Sequence, residues 1–347
     1  MLFRSFRVRL LDDNRDFIDS TSIIKNDDSL IQLRFLTAPD FGTGLSSSDI
    51  AKSRSKNVSY EWGSYTFTSE IPVAMYEYFA NRYRTNNYGA YADNPYDKSK
   101  LNSIVDEFKT ISRSDSEALQ LLIDFVQELK YAADSATTPK DEYQKFPVET
   151  LYERKGDCED TAILLGALLR ELGYGVRLIL LPGHAALGIK GGSDIDGRYY
   201  KSGGEKYYYT ETTGANWDVG EMPRQYHNSE AELVKLHGYP TLVAQLLPVG
   251  KTDGGAPQYG ITLSNPSRNF ANDCEVHILL KKVSGEQLLK KELEFGSIAS
   301  KSEQSKTFWF EPPSYTGRVK FEMQIYESNE LFDKKESSVI ESENTYN

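Results

Sequence analysis

The sequence predicts an α+β chain in which one strongly apolar helix packs on an antiparallel sheet and an all-β sandwich follows. Three observations carry this. Residues 157–172 place Ala162, Ile163, Leu165, Leu168, Leu169 and Leu172 on one broad helical face. Directly after it, Val176–Leu181, His184–Lys190 and Lys206–Glu211 read as consecutive strands, and a helix followed by strands joined by turns is the α+β pattern. After about residue 250, short alternating runs separated by turn residues recur at the spacing of a sandwich.

Taken in order, residues 1–40 alternate enough for short strands at Phe6–Leu10 and Leu30–Phe35, and residues 41–58, rich in Gly, Ser, Lys and Asn, read as an exposed loop. Residues 60–92 are dense in aromatics, including Trp62, Tyr65, Tyr76, Tyr78, Phe79, Tyr83, Tyr88 and Tyr91, and Ile71–Arg84 can be helical. Such a region is a tyrosine-rich packing layer or a substrate-binding surface, because the ring packs while the hydroxyl stays wet. Lys98–Phe108 and Ser114–Tyr131 have helical spacing, the second opened by a Ser114/Glu117 capping box. Residues 132–147 are a connection with two prolines. The helix over 157–172 ends at Gly173, the residue type that tolerates a left-handed cap. Residues 191–204 are polar and turn-rich, and Lys251–Pro257 is a linker or loop. Sandwich strands are expected at Tyr259–Leu263, Glu275–Lys281, Leu288–Phe295, Lys306–Phe310 and Val319–Tyr326, before a polar tail whose last residues are expected to be disordered. The division that follows is an N-terminal extension over 1–110 packed on the core, a core over 111–250, an immunoglobulin-like β-sandwich over 251–335 and a tail over 336–347.

Composition narrows the function. The 347 residues suffice for two or three domains, and 39% hydrophobic with 26% charged residues is an ordinary globular balance. A net charge of -11 argues against nucleic acid, whose phosphates need Lys and Arg, and weakly favours neutral or basic partners. No apolar run approaches the roughly 18 residues of a membrane span. The basic start, Met1 to Arg9, is followed by no apolar export core, so the chain as it stands reads as cytoplasmic; a leader lost in maturation would place it at the cell surface or outside.

The two cysteines, Cys158 and Cys274, fall in different predicted domains, which excludes a disulfide framework, and no paired Cys/His spacing suggests zinc. Asp12, Asn14 and Asp16 are spaced as in a calcium loop, but Phe17 stands where glycine is needed and Ile23 where glutamate is needed, so the segment reads as a turn. No metal and no cofactor is expected. A thiol attacks only as thiolate, and a helix N-terminus or a neighbouring imidazolium lowers its pKa. Gly156-Asp157-Cys158-Glu159-Asp160 puts Cys158 in the first turn of the long helix, where the flanking acids oppose ionisation and a histidine is needed. His184, after Pro182-Gly183 at a strand start, is the candidate base; His227, His237 and His277 lie in later regions. Glu211, at the end of the third strand, reaches His184 if strands two and three pair antiparallel; Asp218 is the rival acid. Asp157 and Trp217 are candidates for the substrate cleft, Trp217 equally for the core, and Cys274 is expected to be inert.

The stretch Lys155-Gly-Asp-Cys-Glu-Asp-Thr-Ala-Ile-Leu-Leu-Gly-Ala-Leu-Leu-Arg-Glu-Leu-Gly-Tyr-Gly-Val-Arg-Leu-Ile179 resembles the nucleophile helix of the transglutaminase-like superfamily, in the archaeal and bacterial style. His184-Ala-Ala resembles its histidine strand, and Glu211-Thr212-Thr213 stands where its Asp-x-Thr usually is. The likeness covers roughly residues 115–220. It implies a papain-like transglutaminase core with Cys158 as nucleophile, His184 as base and Glu211 as orienting acid. Glutamate replaces the commoner aspartate, and Ala186 stands where an aromatic residue is frequent. The function implied is a thiol enzyme acting on peptide or side-chain amides through a thioester, a protease or amidase before a Gln–Lys cross-linking acyltransferase, with a protein or peptide as partner. The alternative is a protein-binding module that keeps the fold without turnover.

Overall fold

The computed structural model describes residues 10–11, 17–18, 41, 45–62, 64–133, 143–192, 195–252, 257–309, 315 and 317–342. The expected strand over Leu30–Phe35, most of that over Phe6–Leu10, and the Asp12–Asp16 segment lie outside them; Leu10–Leu11 (β1) pairs with Phe17–Ile18 (β2).

The stretch 41–58 is not a loop throughout. Helix α1 spans Ser47–Lys52 and strand β3 spans Ser55–Trp62, paired with β4, Tyr65–Pro72. The Ser-rich composition hid two local signals. Ser46 and Asp49 form a reciprocal capping box, and buried Val58 and Tyr60 alternate with exposed Asn57, Ser59 and Glu61. Helices α2 (Val73–Ala80), α3 (Gly89–Ala92), α4 (Lys98–Ile111) and α5 (Asp115–Gln127) follow, α5 capped by Ser114 as expected. Short strand β5 (Lys130–Tyr131) pairs in parallel with β6 (Lys155–Gly156), which follows helix α6, Pro147–Glu153.

Helix α7, Cys158–Glu171, is the centre of this half. Every residue from Asp160 to Leu169 is buried, so the helix is enclosed on all sides rather than on one. Gly166 fits that enclosure: a Cβ there would meet Leu236 Cδ1 at 2.4 Å, and the leucine side chain would have to shift. Gly173, at φ +100°, ends the helix, with Tyr174 N donating to Leu169 O at 2.9 Å, the left-handed closing motif expected there. Against α7 lies an antiparallel sheet of order β11-β7-β8-β10-β9, built from Val176–Leu181 (β7), His184–Gly191 (β8), Tyr199–Ser202 (β9), Glu205–Thr210 (β10) and Glu232–Lys235 (β11). Strand β9 runs through the polar stretch read as turns. Leu178, Ala185, Leu187 and Ile189 face α7 in one core with Tyr60, Phe79, Phe108 and Phe125 of the N-terminal elements. Ile179, Leu181, Ala186, Tyr209 and Met222 form a small core on the other face. The tyrosine-rich region contributes packing here, with Tyr60 OH donating to Leu151 O at 2.6 Å and Tyr91 OH to Thr85 O at 2.8 Å.

The remainder is two antiparallel sheets sharing one core, consistent with a β-sandwich. One holds β12 (Val243–Lys251), β13 (Pro257–Asn265) and β16 (Ser302–Trp309). The other holds β14 (Ala271–Lys282), β15 (Gln287–Ile298), β17 (Gly317–Glu327) and β18 (Glu330–Glu336), with β19 (Ile340–Ser342) on β17. The β12–β13 hairpin spans position 251, where the composition changes. Arg82, just after α2, joins the two halves through a buried ion pair to Asp333 of β18 at 3.3 Å.

The segment before α6 is tied to α7 by a second buried pair: Lys145 Nζ lies 2.6 Å from Asp160 Oδ2, with the side chains 1% and 0% exposed, and Lys145 N donates to Asp160 Oδ1 at 2.7 Å. Removing one partner of such a pair strands a buried charge. Lys145→Ala is therefore expected to lower unfolding free energy by about 3–5 kcal/mol, measured by urea denaturation at neutral pH.

Candidate active site

The geometry starts at the first turn of α7. Asp157 is the N-cap, and its carboxylate accepts from Asp160 N while Asp157 N donates to Asp160 Oδ2, each at 3.4 Å. Asp157 is buried, so its carboxylate serves the cap rather than an open cleft surface. Capping uses the Asp160 N–H and leaves those of Cys158 and Glu159 without an intrahelical partner. The Cys158 thiol, half-buried, donates to Glu159 Oε2 at 2.9 Å. It also meets the backbone of Ala185, which places the sulfur beside the start of β8. Burial pushes the thiol well above its ordinary pKa, and the Glu159 and Asp157 charges push it further; the Ala185 contact acts the other way. Cys158 at rest is a protonated thiol bonded to Glu159, not to His184.

His184 opens β8 because Gly183, at φ +69°, completes a two-residue turn that brings Leu181 opposite His184. Strands β8 and β10 pair antiparallel, Leu187 opposite Thr210, and this carries Glu211 just past the strand end towards the imidazole. His184 Nε2 lies 3.0 Å from Glu211 Oε2 and 3.2 Å from the Tyr209 hydroxyl, which itself donates to Glu211 Oε2 at 2.7 Å. The other carboxylate oxygen accepts from Thr212 N at 3.0 Å, Thr213 N at 3.1 Å and Thr213 Oγ1 at 2.7 Å. Burial pushes the Glu211 carboxyl up, but the bonds from His184, Tyr209 and Thr213 outweigh it and bring the group down to about 2. With Nε2 taken, Nδ1 is the ring nitrogen left for Cys158. Tyr226, from the turn Arg224–Tyr226, stacks on the imidazole at 5.0 Å and 7°.

The sequence-selected residues therefore converge unequally. Cys158, His184 and Glu211 gather at one end of the sheet, whereas Asp218 is exposed and its backbone N–H bonds Glu221. Trp217 is half-buried; Gln127 Nε2 donates to both Trp217 O and Glu211 O at 2.9 Å, fixing the loop that carries the acid. Tyr209, Thr213, Gln127 and Tyr226 were not singled out by their sequence. Tyr209 had one usable signal, its place two residues before Glu211 and hence on the same strand face. Cys274 is buried in the sandwich core, its thiol pushed up to about 11 by burial and by the Glu327 and Asp273 charges. Among the described residues no cluster of three or more His, Cys, Asp or Glu could hold a metal ion, and no helix is long and apolar enough to cross a membrane.

Residues 102–208 match the model of the transglutaminase-like superfamily, a stretch that contains Cys158 and His184 and stops short of Glu211. No curated protein matches the chain. Among solved structures, red sea bream transglutaminase is similar over 85% of this chain and 64% of its own, at 11% identity and a TM-score of 0.23, so the chain spans less than two thirds of that enzyme. The CARDB domain of a Pyrococcus furiosus protein, in complex with di-metal ions, is similar over 29% and 88%, at 16% identity and a TM-score of 0.21. A β-glucosidase from Listeria innocua is similar over 28% and 16%, at 14% identity and a TM-score of 0.19. Likenesses of this size carry no argument about fold or activity. The superfamily match and the helix-on-sheet architecture together identify a transglutaminase-like core.

Two outcomes follow from the charges. Glu159→Gln removes the anion bonded to the thiol, so the apparent Cys158 pKa should fall by about one unit or more and iodoacetamide alkylation at pH 7 should quicken about tenfold. The lowered Glu211 carboxyl contributes stability that is fully present above its ordinary value of 4.5 and lost as pH falls through about 2. Urea unfolding of Glu211→Gln against the parent should show a deficit at pH 7 that narrows steadily below pH 4.5.

Proposed function

We propose that the transglutaminase-like core is a thiol enzyme acting on peptide or side-chain amides through a thioester. The observation that carries the reading is the Glu211–His184 pair, with the imidazole fixed through Nε2 and the Cys158 sulfur beside the same strand end. Cys158 gives its proton to His184 Nδ1, and the thiolate attacks the amide carbonyl carbon. The oxyanion meets the free Cys158 N–H at the helix start. As the C–N bond breaks, the imidazolium protonates the leaving amine and a thioester remains. Water then loses a proton to His184 and attacks the thioester, the C–S bond breaks and the thiol is restored. Glu211 stays ionised throughout, orienting the ring and balancing the imidazolium. We favour hydrolysis over resolution by a lysine amine, since the sequence marks no dedicated amine site.

A second reading, a protein-binding module without turnover, is favoured by one observation: the resting thiol is held protonated by Glu159. The rate of iodoacetamide alkylation at Cys158 against pH, followed by peptide mass, separates the two. Under the enzyme reading alkylation near neutral pH slows in His184→Ala, because the imidazole takes the thiol proton, and Gln-containing peptides leave a mass-detectable acyl adduct. An ordinary titration indifferent to His184, with no adduct, would leave the binding module.

A further inference from the structure

A cavity of about 600 Å³ lies where the N-terminal elements, the sheet and the sandwich meet. The tyrosine-rich segment supplies one wall through Tyr83, Tyr88 and Tyr91, edge strand β11 supplies Glu232 and Val234, and the start of β18 supplies Glu330. The cavity stands in register with the active site. Glu232 pairs with Leu180, Leu180 pairs with Ala185, and the Ala185 backbone meets the Cys158 sulfur. Leu180 and Ala185 belong to the core under α7, so the cavity and the thiol lie on one face of the sheet. Two strand spacings separate Glu232 from Ala185, about 10 Å, the length of roughly three extended residues.

Carboxylates predominate in the cavity wall, with Glu232, Glu327 and Glu330 against Arg82 and Arg84. Its arginines are committed: Arg82 to Asp333 at 3.3 Å, and Arg84 to Glu149 at 2.7 Å, to the Tyr143 hydroxyl and to Phe79 O. Arg177 of β7 alternates to the opposite face from Leu180. Glu232 and Glu330 are exposed and have no cationic partner among the described residues; at Tyr239, another lining ring, the Glu330 charge opposes that of Arg177, which acts more strongly there. Unpaired carboxylates beside open tyrosine faces fit a cation on a long flexible stem, since the ring faces attract it and the carboxylates compensate its charge.

We propose that this cavity is a subsite for a lysine or arginine side chain about three residues from the acyl group of a polypeptide bound at Cys158. The inference rests on the thioester reading for its register, and on the cavity alone for its charge.

The test uses the full chain carrying Cys158→Ala, which cannot turn over. Fluorescence anisotropy follows fluorescein-labelled octapeptides of Gly and Ser with one Gln, bearing a single Lys three residues before or after it, against the same peptides with norleucine. The Lys peptide is expected to bind at least about tenfold more tightly in one of the two registers, with the advantage shrinking between 0.05 and 0.5 M NaCl. Adding Glu232→Gln and Glu330→Gln, both solvent-exposed, should abolish it while leaving the folded-state circular dichroism unchanged. Equal affinity for Lys and norleucine in both registers, binding too weak to measure, or an advantage that survives the double substitution would overturn the proposal. The thioester reading fails separately, by an inert Cys158 in the parent. Glutamate-dependent Lys binding to that inert protein would still support the cation site.

Discussion

Everything at the reactive end depends on how one helix turn accommodates three carboxylates next to a thiol. Asp157, Glu159 and Asp160 flank Cys158, and like charges this close would oppose both folding and thiolate formation. The structure disposes of two. Asp157 is spent on the cap of α7, where the helix dipole and the N–H groups favour an anion, and Asp160 is neutralised by buried Lys145. Glu159 acts most strongly on the sulfur, by accepting its hydrogen bond, and the Asp157 charge adds a smaller push. The same turn that lowers a thiol pKa through its dipole thus carries a residue that raises it.

The histidine side is arranged in the opposite sense. Glu211 is 3% exposed yet ionised, because its two oxygens share donors from His184, Tyr209, Thr212 and Thr213. An anion so fully satisfied holds its geometry whether or not the imidazole is charged, and the Tyr226 ring limits imidazole rotation. The site is asymmetric at rest: a preorganised His–Glu unit faces a thiol still bonded elsewhere.

The helix, the three strands at 176–181, 184–190 and 206–211 and five of the sandwich strands were legible because each rests on a periodicity or a cap that sequence displays directly, whereas β9, β11, β12 and β18 were not foreseen. Antiparallel pairing of the His184 and Glu211 strands stood only as a condition in the sequence, and the register of Leu187 opposite Thr210 meets it. What stayed hidden depends on contacts between distant segments. No spacing announces that Lys145 will be buried against Asp160, that Gln127 of α5 will hold the loop of Glu211, or that Tyr226 will stack on His184. The Ser-rich stretch before β3 failed for another reason. Composition outweighed a two-residue cap signal and a five-position alternation, both too short to stand out in a window. Glu211 was preferable to Asp218 through strand register and through its place in the superfamily pattern, and register is where a single-residue slip would have reversed the choice.

The tyrosine-rich region shows why packing and binding are poor alternatives to set against each other. Tyr60 and Tyr91 are buried with hydroxyls bonded to backbone carbonyls, while Tyr83 is 37% exposed and, like Tyr91, contributes to the cavity wall. A ring that packs on one side and faces a cavity on the other serves both ends, provided its hydroxyl is satisfied. The buried Arg82–Asp333 pair does the same for the sandwich: it commits one cation of the cavity wall and fixes β18 against the segment after α2. Breaking that pair would free an arginine beside Glu232 and Glu330, and the surplus negative charge of the cavity would be lost along with the junction itself. The contact that joins the two halves is therefore also the one that sets the sign of charge the cavity presents.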